Sequence, residues 1–207
     1  MSFENWITFV VIWPVVCLGV GPNSVVCAAA GAINGFARGV WSAVGIASAG
    51  LLHSMIAAFG FSSLMLAWSG GYTTLKWLGV AYLVWLGFRL WLKPPVVIDV
   101  VARGVEGRTI LFRRAFLISL SNPQAFLTYM AFFVPAIDPT SSLFSQLVVL
   151  IPTAVGVVFA MYVGYVLLGT PLARAMTTAR RQRVLARTTG SFYLLSASIL
   201  AVSDMRR

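Results

Sequence analysis

Apolar residues in this chain do not alternate with polar ones; they run together. Stretches at about 6–33, 41–64, 74–91, 115–133, 143–168 and 190–203 are nearly free of charge. Short polar segments part them: "NGFARG" at 34–39, "WSGGY" at 68–72 and "PAIDPTSS" at 135–142. Two longer separators, 93–114 and 170–188, are basic. A helix rises about 1.5 Å per residue, so roughly 20 apolar residues cross a hydrocarbon core, whereas a membrane β-strand shows about ten residues of alternation. The pattern predicts membrane-spanning helices. Two of them are interrupted: the first by Pro14 and by Gly21-Pro22-Asn23, the fourth by "SNPQ" at 121–124.

Composition turns that pattern into a class. Of the 207 residues, 59% are hydrophobic and 10% charged, with a mean hydropathy of +0.90. Soluble domains carry about 25% charged residues, and this chain has too few polar side chains to clothe a water-facing surface. It reads as an all-α integral membrane protein in contact with the lipid bilayer. Glu4, with no Lys or Arg ahead of the first apolar run, differs from the basic start of a cleavable leader, so that run is expected to stay in the mature protein.

Fifteen Lys and Arg against five Asp and Glu give a formal charge of +10. In a soluble protein this would suggest nucleic acid. Here the basic residues sit between apolar runs, where they set orientation and meet anionic headgroups, and no nucleic-acid partner is expected. With six spans, the segments after the first, third and fifth share a side. That side holds Arg38, then Arg89, Lys93, Arg103, Arg108, Arg113 and Arg114, then Arg174, Arg180, Arg181, Arg183 and Arg187. The other side holds only Lys76, Arg206 and Arg207. The positive-inside rule makes the first side cytoplasmic, giving a multi-pass protein of the cytoplasmic (inner) membrane.

The sixth run is short and carries four serines, so hydropathy alone admits five spans as well as six. An internal repeat favours six. "KWLGVAYL" from Lys76 and "RTTGSFYL" from Arg187 share [KR]-x-x-G-x-x-Y-L, and Pro22 and Pro123 each stand beside an asparagine. The halves 1–92 and 115–207, joined by the basic connector 93–114, then hold three spans each. An odd number makes them cross the membrane in opposite senses. The expected fold is one transmembrane domain of six helices, built as two inverted three-helix repeats with helices 1 and 4 broken, an arrangement of secondary transporters.

The breaks carry the candidate chemistry. A proline removes a backbone donor and displaces the carbonyl four residues back, and polar backbone at membrane depth survives only inside protein or along a wet cavity. Gly21, Pro22, Asn23, Asn122, Pro123 and Gln124 are therefore the candidate substrate-binding residues: amides beside free main-chain dipoles can hold a zwitterion, helix N-termini favouring its carboxylate and C-termini its ammonium. His53, the one histidine, lies inside the second run and is the candidate for proton coupling, with an interhelical hydrogen bond as the plainer role. Gly45, Gly50, Gly79 and Gly190 are read as helix-packing positions.

Other chemistries fit poorly. Glu4, Asp99, Glu106, Asp138 and Asp204 all fall outside the apolar runs, which disfavours a carboxylate relay, an intramembrane hydrolase and a metal-ion exporter. Cys17 and Cys27 are about 15 Å apart along a continuous helix, too far for a disulfide, which disfavours a thiol–disulfide conduit. No catalytic residue, metal or cofactor is expected. A homo-oligomer is compatible with the pattern.

Four stretches together resemble the LysE/RhtB family of bacterial amino-acid exporters: "GPN" at 21–23, "GFARGVWSAVGIASAGLLH" at 35–53, "LKWLGVAYLVWLGFRLW" at 75–91 and "FLISLSNPQAFLTYMAFFVP" at 116–135. The resemblance covers essentially the whole chain. It implies six helices as inverted repeats and export of an amino acid or related metabolite driven by the proton gradient. Where that family commonly has lysine after the "NP", this chain has Gln124, and its region after "GPN" is smaller-residued than usual.

Overall fold

The computed structural model describes residues 3–18, 21–67, 71–92, 104–137, 141–171 and 179–202. Among them the chain is helical without strands: α1 (Phe3–Cys17), α2 (Pro22–Asn34), α3 (Phe36–Ala67), α4 (Gly71–Leu92), α5 (Arg108–Leu120), α6 (Pro123–Ala136), α7 (Leu143–Leu167) and α8 (Ala179–Val202). Pro22 and Pro123 each open a helix. In the first helical turn a missing N–H costs nothing, because the donors there have no intrahelical partner. The interruptions read from the sequence are thus helix starts. α1 and α2 meet at 66°.

α2 closes on Gly35, whose φ of +71° lies in the region a side chain disfavours, and whose N–H donates to the Gly31 carbonyl at 3.0 Å. The chain then re-enters a helix at Phe36, so α2 and α3 form a tight hairpin.

By length and composition, the described part of α3 up to Gly60 and α7 are each apolar enough to cross a membrane, and α1 with α2 passes as one bent span. α4 and α6 contribute shorter apolar helices, Trp77–Leu92 and Gln124–Phe133. Helices outrun the apolar stretches that announced them. α5 starts at Arg108 and α8 at Ala179, inside segments that the hydrophobic pattern assigns to basic connectors. Arginine is a good helix former whose stem lies along apolar surface while its head stays in water, so charge ends an apolar run without ending a helix.

Packing crosses the two halves of the chain. α3 lies along α5 and α7, α4 along α8 and α6, α2 against α3 and α7, and α1 against α7 and α6. Exchanging α1–α4 for α5–α8 maps most of the cross-half pairs onto one another: α3–α5 onto α1–α7, α2–α7 onto α3–α6, α2–α5 onto α1–α6. The core is centred on Trp13, Leu83, Leu86, Phe133 and Leu150, all nearly inaccessible. Trp13 also donates its indole N–H to the Ala154 carbonyl, tying α1 to α7 at 3.2 Å. Large apolar side chains such as Trp77, Trp85, Phe88 and Leu92 of α4 face outward, as expected of a helix whose surroundings are lipid.

Candidate functional site

Each break leaves carbonyls without helical partners, and in each a side chain from a distant helix takes one. Tyr165 of α7 donates its hydroxyl to the Leu18 carbonyl at 2.8 Å. At the second break, Pro123 has no N–H, and the Gln124 N–H is taken by Asn122 Oδ1 at 3.0 Å, which frees the Leu120 carbonyl. His53 of α3 reaches it with Nε2 at 3.4 Å. A carbonyl only accepts, so Nε2 carries the proton and Nδ1 is the bare nitrogen; Nδ1 is buried without a partner. α3 and α7, the helices that supply these two side chains, are counterparts under the exchange described above.

The two asparagines do different work. Asn122 caps α6: its side-chain oxygen accepts from the Gln124 N–H in a local turn. At α2 the N-cap position is Gly21, which has no side chain to cap with; the Ser24 hydroxyl accepts from the Gly21 N–H and donates to the Gly21 carbonyl, both at 2.9 Å. Asn23 instead crosses between the halves, donating Nδ2 to Ser119 Oγ of α5 at 3.0 Å, while its Oδ1 is buried and unpartnered.

The breaks meet at a cavity of about 60 Å³. Gly21 and Asn23 line it from the start of α2, Asn122 and Gln124 from the start of α6, Val16 and Cys17 from the end of α1, and Ser119 from the end of α5. Two helix N-termini and two C-termini thus face one small space, bringing partial positive and negative charge together. Trp13, Tyr129, Tyr162 and Tyr193 form an aromatic wall, and Ile46, Gly50, Ala125, Thr128 and Val158 complete the lining. Among the described residues, no Asp, Glu, Lys or Arg lines it.

Of the positions singled out in the sequence, Gly21, Asn23, Asn122 and Gln124 come together here, and so does Gly50. Pro22 is exposed outside the lining, and the Pro123 side chain lies outside the described residues. His53 sits behind the wall, its ring 5.6 Å from that of Tyr129 and 5.8 Å from that of Phe126. Gly45 passes against the α5 backbone at Phe112, Gly79 against Ala131, and Gly190 against Gly87. Cys17 and Cys27 are free and buried, and no group of His, Cys, Asp and Glu able to hold a metal ion occurs among the described residues.

Sequence reasoning misses Ser119, Thr128, Tyr129, Tyr162 and Tyr193. A signal existed for Tyr193, which is the tyrosine of the repeated [KR]-x-x-G-x-x-Y-L motif. Its counterpart, Tyr82, donates its hydroxyl to the Gln124 carbonyl at 3.4 Å, and Gln124 Nε2 donates to the Tyr193 hydroxyl at 3.4 Å. The two motif tyrosines therefore grip one residue from opposite helices. Tyr129 carries no such mark, because an aromatic in an aromatic-rich span looks like core.

On the far end of α2, Asn34 Oδ1 accepts from the Glu106 N–H at 2.6 Å, and Glu106 holds Arg114 in a bidentate ion pair. This pins the start of the second half to the end of the first broken helix.

The family model described as LysE type translocator matches residues 15–204. Over 201 residues, 97% of this chain and 98% of the relative, the chain is 25% identical to a homoserine/homoserine lactone efflux protein of Salmonella typhimurium. It is 32% identical over 186 residues to an uncharacterised membrane protein of Pseudomonas aeruginosa, covering 87% of this chain and 82% of that one. A leucine efflux protein of Enterobacter sp. shares 26% identity over 179 residues, 86% and 85% of the two chains. No solved structure matches.

Proposed function

Given that the chain belongs to the LysE type translocator family, we propose that it is a secondary transporter, not an enzyme, that exports a small amino acid or related metabolite across the cytoplasmic membrane. The observation that carries this reading is the convergence of both proline-led helix starts and both preceding helix ends on one cavity that no charged side chain lines among the described residues. Helix N-termini suit the carboxylate of an amino acid and C-termini its ammonium, and Asn23, Asn122 and Gln124 add amide groups that accept and donate. The efflux names carried by the Salmonella and Enterobacter relatives agree with such a substrate.

The finer architecture belongs to the same reading. Six spans form two inverted repeats of three, the first within 1–92 and the second within 115–207, with α1–α2 and α5–α6 as the broken spans. The near-symmetric helix pairing and the two motif tyrosines on Gln124 support it. The side with twelve basic residues faces the cytoplasm.

At about 60 Å³ the cavity is smaller than the 300–1,000 Å³ of ordinary ligand pockets. Occupancy requires the two halves to move apart around the breaks, as alternating access does. The proton gradient drives the cycle, and His53, with a bare Nδ1 beside the second break, is the group placed to take the proton.

The test is export of labelled amino acids from vesicles loaded with a panel of them, comparing the native chain with Asn23→Ala and Asn122→Ala. Loss of export in both variants at normal protein level is expected. Wild-type rates in both would remove the breaks from the transport path.

A further inference from the structure

Three buried side-chain polar atoms lack a hydrogen-bond partner among the described residues: Asn23 Oδ1, His53 Nδ1 and the Tyr129 hydroxyl. Two of them, on Asn23 and Tyr129, belong to cavity-lining residues that are 6% and 5% exposed. Leaving such groups unpaired costs about 1–3 kcal/mol each, and one has to ask what they are kept for.

The Tyr129 hydroxyl is deliberately accommodated. It rests against Gly50, in the space a Cβ there would fill, and Gly50 is itself part of the cavity wall. The ring cannot swing away, since Trp13 lies at 4.8 Å, His53 at 5.6 Å and Phe133 at 5.7 Å between ring centroids. Ser54 Oγ donates to the Gly50 carbonyl at 2.8 Å, and the phenol makes no hydrogen bond among the described residues. A phenol donates well, and a side-chain amide oxygen only accepts. Among the described residues, the cavity therefore presents one free donor and one free acceptor, with no charged side chain in its lining.

We propose that Tyr129 is a specificity-determining residue, donating its hydroxyl to an oxygen of the solute while Asn23 Oδ1 accepts from its ammonium, and that the solute is an amino acid with an uncharged side chain. This rests on the exporter reading above and narrows it. A second cationic or anionic group would enter a space offering no counter-ion, and an unpaired buried charge is heavily penalised. The main-chain dipoles and the Asn23–Tyr129 pair serve one ammonium and one carboxylate.

The test is binding of L-homoserine, L-leucine, L-lysine and L-glutamate to the purified full-length protein in lipid nanodiscs, alongside Tyr129→Phe and its melting temperature. Removing an unpartnered hydroxyl should leave melting unchanged or raise it, yet weaken homoserine or leucine binding about 10- to 100-fold, the worth of one hydrogen bond to a charged group. Lysine and glutamate should bind at least tenfold more weakly than the neutral pair. Full affinity in Tyr129→Phe, a melting temperature lowered by several degrees in it, or equal binding of lysine or glutamate would each overturn the inference while leaving the exporter reading intact. No binding or export of any amino acid by the native chain would instead overturn the exporter reading itself. As a second variant, Asn23→Asp keeps the shape of the amide but adds a charge, and should shift preference toward lysine; unchanged preference would count against the proposal.

Discussion

Gly50 and Tyr129 form a contact that a double substitution can isolate. A Cβ at position 50 would overlap the Tyr129 hydroxyl oxygen, but would stand 3.3 Å from Cζ. Gly50→Ala thus clashes with one atom, and Tyr129→Phe deletes that atom. Overpacking a well-filled core costs about 1–3 kcal/mol, and the aromatic neighbours of Tyr129 leave its ring little freedom to evade. Against this, alanine is favoured over glycine in a helix by roughly 1 kcal/mol. Gly50→Ala alone should lose up to about 2 kcal/mol, and in the Tyr129→Phe background the same substitution should lose less than about 1 kcal/mol or gain. The coupling between the sites is then about 1–2 kcal/mol, within the range for residues in contact. At about 2–4 °C per kcal/mol for a chain of this size, the four proteins can be ranked by thermal unfolding in detergent followed by tryptophan fluorescence. Additive shifts in the double variant would refute the placement of the hydroxyl over Gly50, and with it the reason for a glycine at that point of α3.

Other substitutions test other parts of the structure. Asn122→Ala should cost about 0.5–2 kcal/mol by uncapping α6, whereas Asn122→Asp should keep the melting temperature and abolish export by charging the cavity; equal stability losses in both would show that Asn122 is no cap. Gly190→Ala would set a methyl 2.7 Å from the Gly87 carbonyl, where backbone must give way, and should lower the melting temperature by several degrees; Gly156→Ala, with open space around it, should hold or raise it, and the reverse order would refute the α4–α8 packing. His53→Gln retains an N–H donor for the Leu120 carbonyl but removes the titratable nitrogen, so export should continue with a flattened dependence between about pH 5 and 8; an unchanged pH profile would exclude His53 from coupling. Glu106→Gln breaks a partly exposed ion pair and should shift stability by no more than about 1 kcal/mol; a loss several times larger would mean that the Asn34–Glu106–Arg114 contact bears more of the fold than its exposure suggests.

Length and run of apolar residues, read alone, settled the helical class and four of the helix-bearing stretches closely, because in lipid the backbone can satisfy itself only within helices or a closed barrel. They also marked both breaks, since proline beside asparagine is a local signal that no packing can hide: helices do start at Pro22 and Pro123. The same reading placed the start of α5 and α8 too late, because it followed hydrophobicity, while arginines kept the helix going beyond the apolar stretch. What the chain could not disclose was which side chains a fold would aim at one another across its two halves. That Asn23 bridges to Ser119, that Tyr82 and Tyr193 meet at Gln124, and that Tyr129 stands over Gly50 are facts of pairing between residues 42 to 96 positions apart. Periodicity carries no information about such partners, since hydrophobic burial is non-directional and any apolar face satisfies it. Only the packed arrangement of α3 with the helices on either side of the two breaks decides where polar groups are left without a partner, and so where a solute can find one.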